Sequence, residues 1–121
     1  MSRIVLIDDE EDMLAIVGDY LRSQGHTVLT SVEGTEGLRL LLENAPDLVI
    51  LDIQVPGMSG LKILKEARKS LPSLKAIVLT GYGSSPEFEK EAEASGALFL
   101  RKPIGLEELD QAVSKVLAPS G

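Results

Sequence analysis

The sequence has no cysteine, one histidine and no tryptophan, and these absences exclude several kinds of site. Without cysteine the chain can form neither disulfide bonds, nor a thiolate nucleophile, nor a cysteine-ligated zinc site. His26 alone cannot build a site with several histidine ligands, and a catalytic triad would lack a second candidate base. No apolar run approaches the roughly 20 residues of a transmembrane helix, and the N-terminal apolar stretch is too short for a signal peptide. We therefore expect a cytoplasmic protein without membrane contact.

Length and charge narrow the choice further. The 121 residues fit a single domain, residues 1–121, in which residues 118–121 form a tail or the start of a linker. Lys and Arg together number 12 and Asp and Glu number 19, which gives a net charge of −7. An acidic domain is poorly suited to bind nucleic acid or an anionic membrane directly. The acidic excess raises a different question, whether some carboxylates are concentrated to hold a cation.

Five short apolar runs, rich in Val, Ile or Leu, punctuate the chain. They are residues 4–7, 27–30, 48–51, 76–79 and 97–100. Because these runs are mostly continuous rather than alternating, they favour strands that are buried on both faces of a parallel sheet.

The segments between these runs have helical periodicity. Four of them carry apolar stripes: Met13, Ile16, Val17, Tyr20 and Leu21; Leu38, Leu41, Leu42 and Ala45; Leu61, Leu64, Ala67 and Leu71; and Leu106, Leu109, Val113, Val116 and Leu117. The remaining segment, residues 86–95, has few apolar residues, so we expect a weakly anchored helix. A β-α unit repeated five times predicts an α/β fold, a doubly wound parallel sheet with helices on both faces.

Carboxylates follow two of the predicted strands. Ligands of an open α/β sheet bind beyond the carboxyl ends of the strands, where the strand order reverses. Asp8 and Asp9 follow the first strand and Asp52 follows the third, so in the order 2-1-3-4-5 these three residues would converge. Carboxylates this close repel one another unless a cation neutralises them. Mg²⁺ suits such an oxygen site, because it binds to few protein ligands and keeps several waters.

Two other strands end in residues that complement a carboxylate. Thr80 follows the fourth strand and would supply a hydroxyl donor, and Lys102 follows the fifth and would supply a positive charge. A carboxylate such as Asp52, flanked by Mg²⁺, an ammonium and a hydroxyl, is equipped to accept a phosphoryl group.

The acidic run at residues 8–12 also has a simpler interpretation. Negative charge at the start of a helix is stabilised by the helix dipole. We prefer this interpretation for Glu10, Glu11 and Asp12, whereas for Asp8 and Asp9 alone the two interpretations are evenly balanced.

Taken together, these motifs resemble the receiver domain of bacterial response regulators over essentially the whole chain. The most diagnostic stretch is Pro-Asp-Leu-Val-Ile-Leu-Asp at residues 46–52, followed by Pro-Gly-Met-Ser-Gly at residues 56–60. Asp8-Asp9, Thr80-Gly81, Gly96-Ala97, Phe99 and Lys102-Pro103 complete the set. The resemblance implies a flavodoxin-like (βα)5 fold with strand order 2-1-3-4-5.

The resemblance also implies roles for the residues around the acceptor. Asp52 is expected to be the phosphoacceptor and to bind Mg²⁺ together with Asp8, Asp9 and the backbone carbonyl of Gln54. Lys102 is expected to pair with a phosphoryl oxygen.

Further roles concern the loops and the fifth strand. The bond preceding Pro103 is expected to be cis. Thr80 would hydrogen-bond the phosphoryl group, and Phe99 occupies the switch aromatic position, although an aromatic residue in a strand is usually part of the core. Gln54 and Tyr82 occupy variable positions that are expected to set the dephosphorylation rate.

The resemblance implies that the protein functions as a signalling switch and not as an enzyme. Such a switch catalyses only its own phosphorylation and dephosphorylation. The phosphoryl group would come from a sensor histidine kinase or a small phosphodonor. The surface made by the fourth helix, the fifth strand and the fifth helix would then control an output domain or a downstream protein. Whether phosphorylation produces a homodimer is left open.

Three alternatives compete with this interpretation. A phosphatase of the haloacid-dehalogenase type would need an Asp-x-Asp pattern after the first strand, where the chain has Asp8-Asp9. An FMN-binding module would need a hydroxyl- and glycine-rich phosphate loop there instead of carboxylates. A receiver-like module that only binds partners is disfavoured, because Asp52, Thr80 and Lys102 are all present.

Overall fold

The computed structural model describes residues 2–81 and 86–118 of the chain. Five strands alternate with five helices, as the sequence pattern predicts. The strands are β1 (Arg3–Ile7), β2 (Thr27–Ser31), β3 (Leu48–Asp52), β4 (Lys75–Thr80) and β5 (Leu98–Arg101). The helices are α1 (Glu11–Ser23), α2 (Gly34–Asn44), α3 (Gly60–Ser70), α4 (Pro86–Ala94) and α5 (Leu106–Leu117).

The strands form one parallel sheet in the order β2-β1-β3-β4-β5, which confirms the predicted topology. Strand order reverses between β1 and β3, where Ile7 lies opposite Leu51. On the other side of β3, Asp52 lies opposite Leu79. This register brings the residues that follow β1, β3 and β4 to one edge of the sheet, which is where such sheets bind ligands.

The core lies in two layers, one on each face of the sheet. Alternate residues of β3 point to opposite faces, so Leu48 and Ile50 pack with the layer beneath α1 and α5. Val49 and Leu51 pack with the layer beneath α2 and α3. All five residues of β3 are buried, as the continuous apolar run predicts for a central parallel strand.

The helical stripes predicted from the sequence are partly wrong in phase. Ile16, Leu42 and Leu106 were expected on buried faces, but they are 58%, 47% and 38% exposed. In α1 the stripe omitted Leu14, which is buried. A helix that covers a sheet contacts it along a narrow stripe, so the flanking apolar positions need not be covered.

The edge of the sheet beside α4 is more open than its centre. Three residues of β5 are half-buried and the fourth is exposed. The side chains of Phe88 and Ala92, which make up most of the thin apolar stripe of α4, lie outside the described part of the chain. Among the helices of the described ranges, none combines the length and apolar character that crossing a bilayer requires.

Candidate functional site

Asp8 lies directly beyond the carboxyl end of β1. Its backbone N–H donates to the carbonyl oxygen of Ser31 over 3.0 Å, which ties the start of the loop to β2. Its side chain is buried and accepts a hydrogen bond of 2.9 Å from the backbone N–H of Glu10. One carboxylate oxygen is therefore held by the backbone, while the other, Oδ2, points toward the neighbouring strands and their side chains.

Asp52 is the last residue of β3 and is nearly buried. Its Oδ1 accepts a hydrogen bond of 2.9 Å from the backbone N–H of Gln54. Gly60 approaches its main chain so closely that a Cβ at that position would lie 2.2 Å from the carbonyl oxygen of Asp52. Gly60 also donates its N–H to the carbonyl oxygen of Ile53 over 2.8 Å. The acceptor candidate thus sits in a closely packed backbone turn.

Lys102 reaches this pocket from the end of β5. Its backbone N–H donates to the carbonyl oxygen of Thr80 over 2.6 Å, and the Lys102–Pro103 peptide bond is cis. Its Nζ lies 2.8 Å from Asp52 Oδ2 and 2.7 Å from Asp8 Oδ2. The ammonium therefore bridges the carboxylates that follow the two central strands.

The charges of the pocket shift the protonation of both partners. Burial alone would lower the pKa of Lys102, but the nearby carboxylates of Asp52, Asp8 and Glu10 raise that pKa above its ordinary value. Burial raises the pKa of Asp8, although Lys102 and the N–H of Glu10 oppose the change. The ammonium is thus firmly charged, whereas ionised Asp8 carries a desolvation cost that a second cation would offset.

Asp8, Asp9 and Asp52 form the one group within the described residues that could hold a metal ion. One carboxylate oxygen from each residue lies within 4.8 Å of the others. Asp8 and Asp52 are buried and Asp9 is exposed, so the cluster is open to solvent on one side. Because all these donors are oxygens, the group fits a hard divalent cation better than a soft metal.

Thr80 is the last residue of β4, and its side chain is almost completely buried. Its Oγ1 has no hydrogen-bond partner among the described residues. A buried hydroxyl without a partner carries a desolvation cost. At the carboxyl end of the strand next to Asp52, this hydroxyl is available to a bound ligand.

The remaining predicted site residues lie at the rim or beyond it. Gln54 has an exposed side chain one residue beyond Ile53, and its N–H faces Asp52. Phe99 is half-buried in β5, and the guanidinium of Arg101 lies 5.9 Å from its ring centroid. Tyr82 lies outside the described residues.

Sequence reasoning overlooked one residue of this pocket. Glu10 occupies the N-cap position of α1, but its side chain makes no capping hydrogen bond. Its Oε1 lies 2.7 Å from Lys102 Nζ. The assignment of Glu10 to the helix dipole alone is therefore incomplete. The sequence did contain a signal for this contact, because Glu10 directly follows Asp8-Asp9 at the edge of the sheet where Lys102 was also expected.

The chain is similar to known proteins of one family. A family model for the response regulator receiver domain matches residues 4–114. A crystal structure of a response regulator receiver domain protein from Clostridium thermocellum has a TM-score of 0.89 at 37% identity, covering 97% of this chain and 94% of that one. Chemotaxis protein CheY4 of Vibrio cholerae has a TM-score of 0.86 at 28% identity, covering 97% and 99% of the two chains.

Curated relatives differ in how much of their length the chain covers. Transcriptional regulatory protein GlrR of Escherichia coli strain K12 is 34% identical over 119 residues, which are 98% of this chain but 27% of that protein. Sporulation initiation phosphotransferase F of Bacillus subtilis strain 168 is 27% identical over 116 residues, or 96% and 94% of the two chains. The chain thus spans about a quarter of one relative and nearly all of the other.

Proposed function

Since the chain belongs to the family of response regulator receiver domains, we propose that it is a phosphorylation switch in which Asp52 accepts a phosphoryl group. The observation that carries this proposal is the contact between Asp52 Oδ2 and Lys102 Nζ at 2.8 Å, in a pocket shared with Asp8. A nucleophilic carboxylate needs a nearby positive charge that can balance the incoming phosphoryl oxygens, and Lys102 supplies one.

In the proposed reaction, one carboxylate oxygen of Asp52 attacks the phosphorus of the donor. A new O–P bond forms as the bond from phosphorus to the leaving group breaks, and the leaving group departs with the bonding electron pair. The backbone N–H of Gln54 orients the carboxylate through Oδ1. Lys102 faces the other oxygen and can follow the transferred charge onto the phosphoryl group.

Asp8, Asp9, Asp52 and the backbone carbonyl of Gln54 are the residues that would hold Mg²⁺. The fit rests on the three clustered carboxylates and on the cost of keeping Asp8 ionised in a buried position. Mg²⁺ bound there would neutralise charge that develops on the phosphoryl oxygens. We therefore expect chelation of the cation to prevent phosphorylation.

The response to phosphorylation would start at Thr80. Its buried hydroxyl, without a partner in the described ranges, would donate to a phosphoryl oxygen on Asp52. That bond would draw the end of β4 toward β3 and leave space into which Phe99 could turn. A ligand shifts a two-state equilibrium only through contacts that differ between the states, and this hydrogen bond would be such a contact. The output surface would then be α4, β5 and α5.

Partners follow from the family and from the relatives. The phosphoryl donor would be a sensor histidine kinase or a small phosphodonor, and the domain would act as a signalling switch rather than turn over a substrate. GlrR and several other relatives are transcriptional regulators of which the chain covers only a part. We propose control of an output domain or a downstream protein, with phosphorylation-dependent homodimerisation as one form of that control.

Intact-mass measurement tests the proposal directly. With acetyl phosphate and Mg²⁺, the protein should gain the mass of one phosphoryl group, and Asp52→Asn should gain none. Asp47→Asn is the matched control, because Asp47 lies just before the opposite end of the same strand and is exposed. Asp47→Asn should gain the mass of one phosphoryl group, as the unmodified protein does. Labelling of Asp52→Asn to the same extent would refute the assignment of the acceptor, and EDTA should abolish labelling of every labelled form.

A further inference from the structure

Glu10 makes a contact that its position in the helix does not require. As the N-cap residue of α1 it could accept hydrogen bonds from the first turn, yet its side chain makes none. Its Oε1 instead contacts Lys102 Nζ at 2.7 Å, although the two residues are 92 positions apart in the sequence. The Glu10 side chain is 62% exposed, whereas that of Lys102 is 16% exposed.

This contact is one of three carboxylate contacts around the ammonium. Lys102 Nζ has carboxylate oxygens of Asp8, Glu10 and Asp52 at 2.7, 2.7 and 2.8 Å. Glu10 and Asp52 accept hydrogen bonds from Nζ, whereas Asp8 Oδ2 contacts it without the geometry of a hydrogen bond. A phosphoryl oxygen on Asp52 would therefore approach an ammonium that already donates to Glu10.

Burial indicates which carboxylate gives way. The side chains of Asp8 and Asp52 are only 1% and 10% exposed, so both carboxylates need a nearby cation, either Lys102 or the proposed Mg²⁺. Glu10 faces solvent, and water can solvate its carboxylate once it separates from Lys102. It is the contact that can be exchanged at the lowest cost.

We propose that Glu10 is a positioning residue for phosphoryl transfer, which acts by competing with the phosphoryl group for Lys102. Before transfer, Glu10 helps to hold the ammonium beside Asp52. When a phosphoryl group occupies Asp52, Lys102 leaves Glu10 and donates to a phosphoryl oxygen. The inference rests on the proposed function of Asp52, and it assigns to Glu10 a role that opposes the phosphorylated state.

Glu10→Gln tests the competition because it removes the charge and keeps the size of the side chain. Beryllofluoride with Mg²⁺ is a suitable probe, since it mimics a phosphoryl group on a carboxylate without covalent turnover, and its binding can be followed by NMR. We expect Glu10→Gln to bind beryllofluoride more tightly by about two- to fivefold, the range of an exposed ion pair.

Two variants separate positioning from net charge. Glu11→Gln removes an equal charge from the next residue, which is exposed in the first turn of α1, and should change the affinity by less than about 1.5-fold at ordinary ionic strength. Glu10→Asp keeps the charge but shortens the side chain. If Glu10 acts through its contact, Glu10→Asp should resemble Glu10→Gln. If only the charge mattered, Glu10→Asp would resemble the unmodified protein, and the proposal would be overturned.

The route through Lys102 is tested in a Lys102→Ala background. There Glu10→Gln should leave beryllofluoride affinity unchanged, because the group for which it competes is gone. An equal gain in both backgrounds would overturn the proposal. Failure of the unmodified protein to bind beryllofluoride and to take up a phosphoryl group would overturn the proposed function as well. If the unmodified protein takes up a phosphoryl group normally, but Glu10→Gln and Glu11→Gln bind beryllofluoride with equal affinity, the role of Glu10 is overturned and the proposed function is not.

Discussion

The strands β3 and β5 both deliver a charged residue to the pocket, but they are held in the molecule very differently. Every residue of β3 is buried, and the strand lies between β1 and β4 at the centre of the sheet. The strand β5 lies at the edge and is half-buried or exposed along its length. Asp52 therefore ends a fully buried strand, whereas Lys102 follows a strand whose residues are only half-buried against the core. An acceptor on a buried strand, next to a cation that follows a less buried strand, is suited to a conformational switch.

The loops that follow β3 and β4 repeat this contrast. After β3, the N–H of Gly34 donates to the carbonyl oxygen of Pro56 over 2.8 Å, which fastens the loop to α2. At Gly60 a Cβ would collide with the backbone of Asp52, so this loop is packed tightly. After β4, a Cβ on Gly81 would meet no atom within 4 Å. The backbone near the acceptor is crowded, whereas Gly81, directly after Thr80, has space around it.

The largest expected difference is in core stability. Leu48 in β3 is fully buried, whereas Leu100 in β5 is half-buried against the same layer of the core. Leu48→Ala should lower the free energy of unfolding by about 3–4 kcal/mol and Leu100→Ala by about 1–2 kcal/mol. Urea denaturation of both variants measures this. Equal losses would mean that the edge strand is anchored as firmly as the central one.

Substitution of Gly60, compared with substitution of Gly81, gives the next largest expected effect on stability. Gly60→Ala places a methyl group 2.2 Å from the carbonyl oxygen of Asp52, so the turn must shift, and a loss of about 2 kcal/mol in unfolding free energy is expected. Gly81→Ala meets open space and should change that free energy by less than about 0.5 kcal/mol. Because Gly60 packs on the acceptor, its variant should also accept phosphoryl more slowly in the acetyl phosphate assay. A stable, fully active Gly60→Ala would contradict the close packing described for this turn.

The same contrast explains which features could be predicted from the sequence. The alternation of strands and helices, and the places of Asp8 and Asp52 at strand ends, could be predicted because the ends of the buried apolar runs are visible in the sequence. The strand order that brings Asp8 and Asp52 together came from the resemblance to receiver domains. The exposure of Ile16 could not be predicted, because helical periodicity defines a face but not the width of what covers it. The contact of Glu10 with Lys102 depends on side-chain conformations and on two loops far apart in sequence, which no local pattern specifies.

Hydrogen exchange tests whether α4 and β5 respond to phosphorylation of Asp52 at the end of β3. On phosphorylation, protection should change across residues 86–103 and much less across residues 13–45. Thr80→Val keeps the shape of the side chain but removes the hydroxyl, so it should still accept phosphoryl and lose most of the response. Thr80→Ser keeps the hydroxyl and should retain the response. A complete response in Thr80→Val, or changes confined to α1 and α2, would contradict the proposed coupling.

The smallest expected effect concerns the contacts that hold β5 to α4. Arg101 forms an ion pair with Glu89 of α4, and its guanidinium lies 5.9 Å from the ring centroid of Phe99. The Arg101 side chain is 69% exposed, so solvent screens both contacts. A double-mutant cycle with Arg101→Gln and Glu89→Gln, measured by urea denaturation, should give a coupling of about 0.5–1 kcal/mol. A coupling well above 2 kcal/mol would show that α4 fixes this edge of the sheet as strongly as core packing fixes β3. The coupling should also fall as salt is added, since the pair lies at the surface, whereas the loss in Leu48→Ala should not.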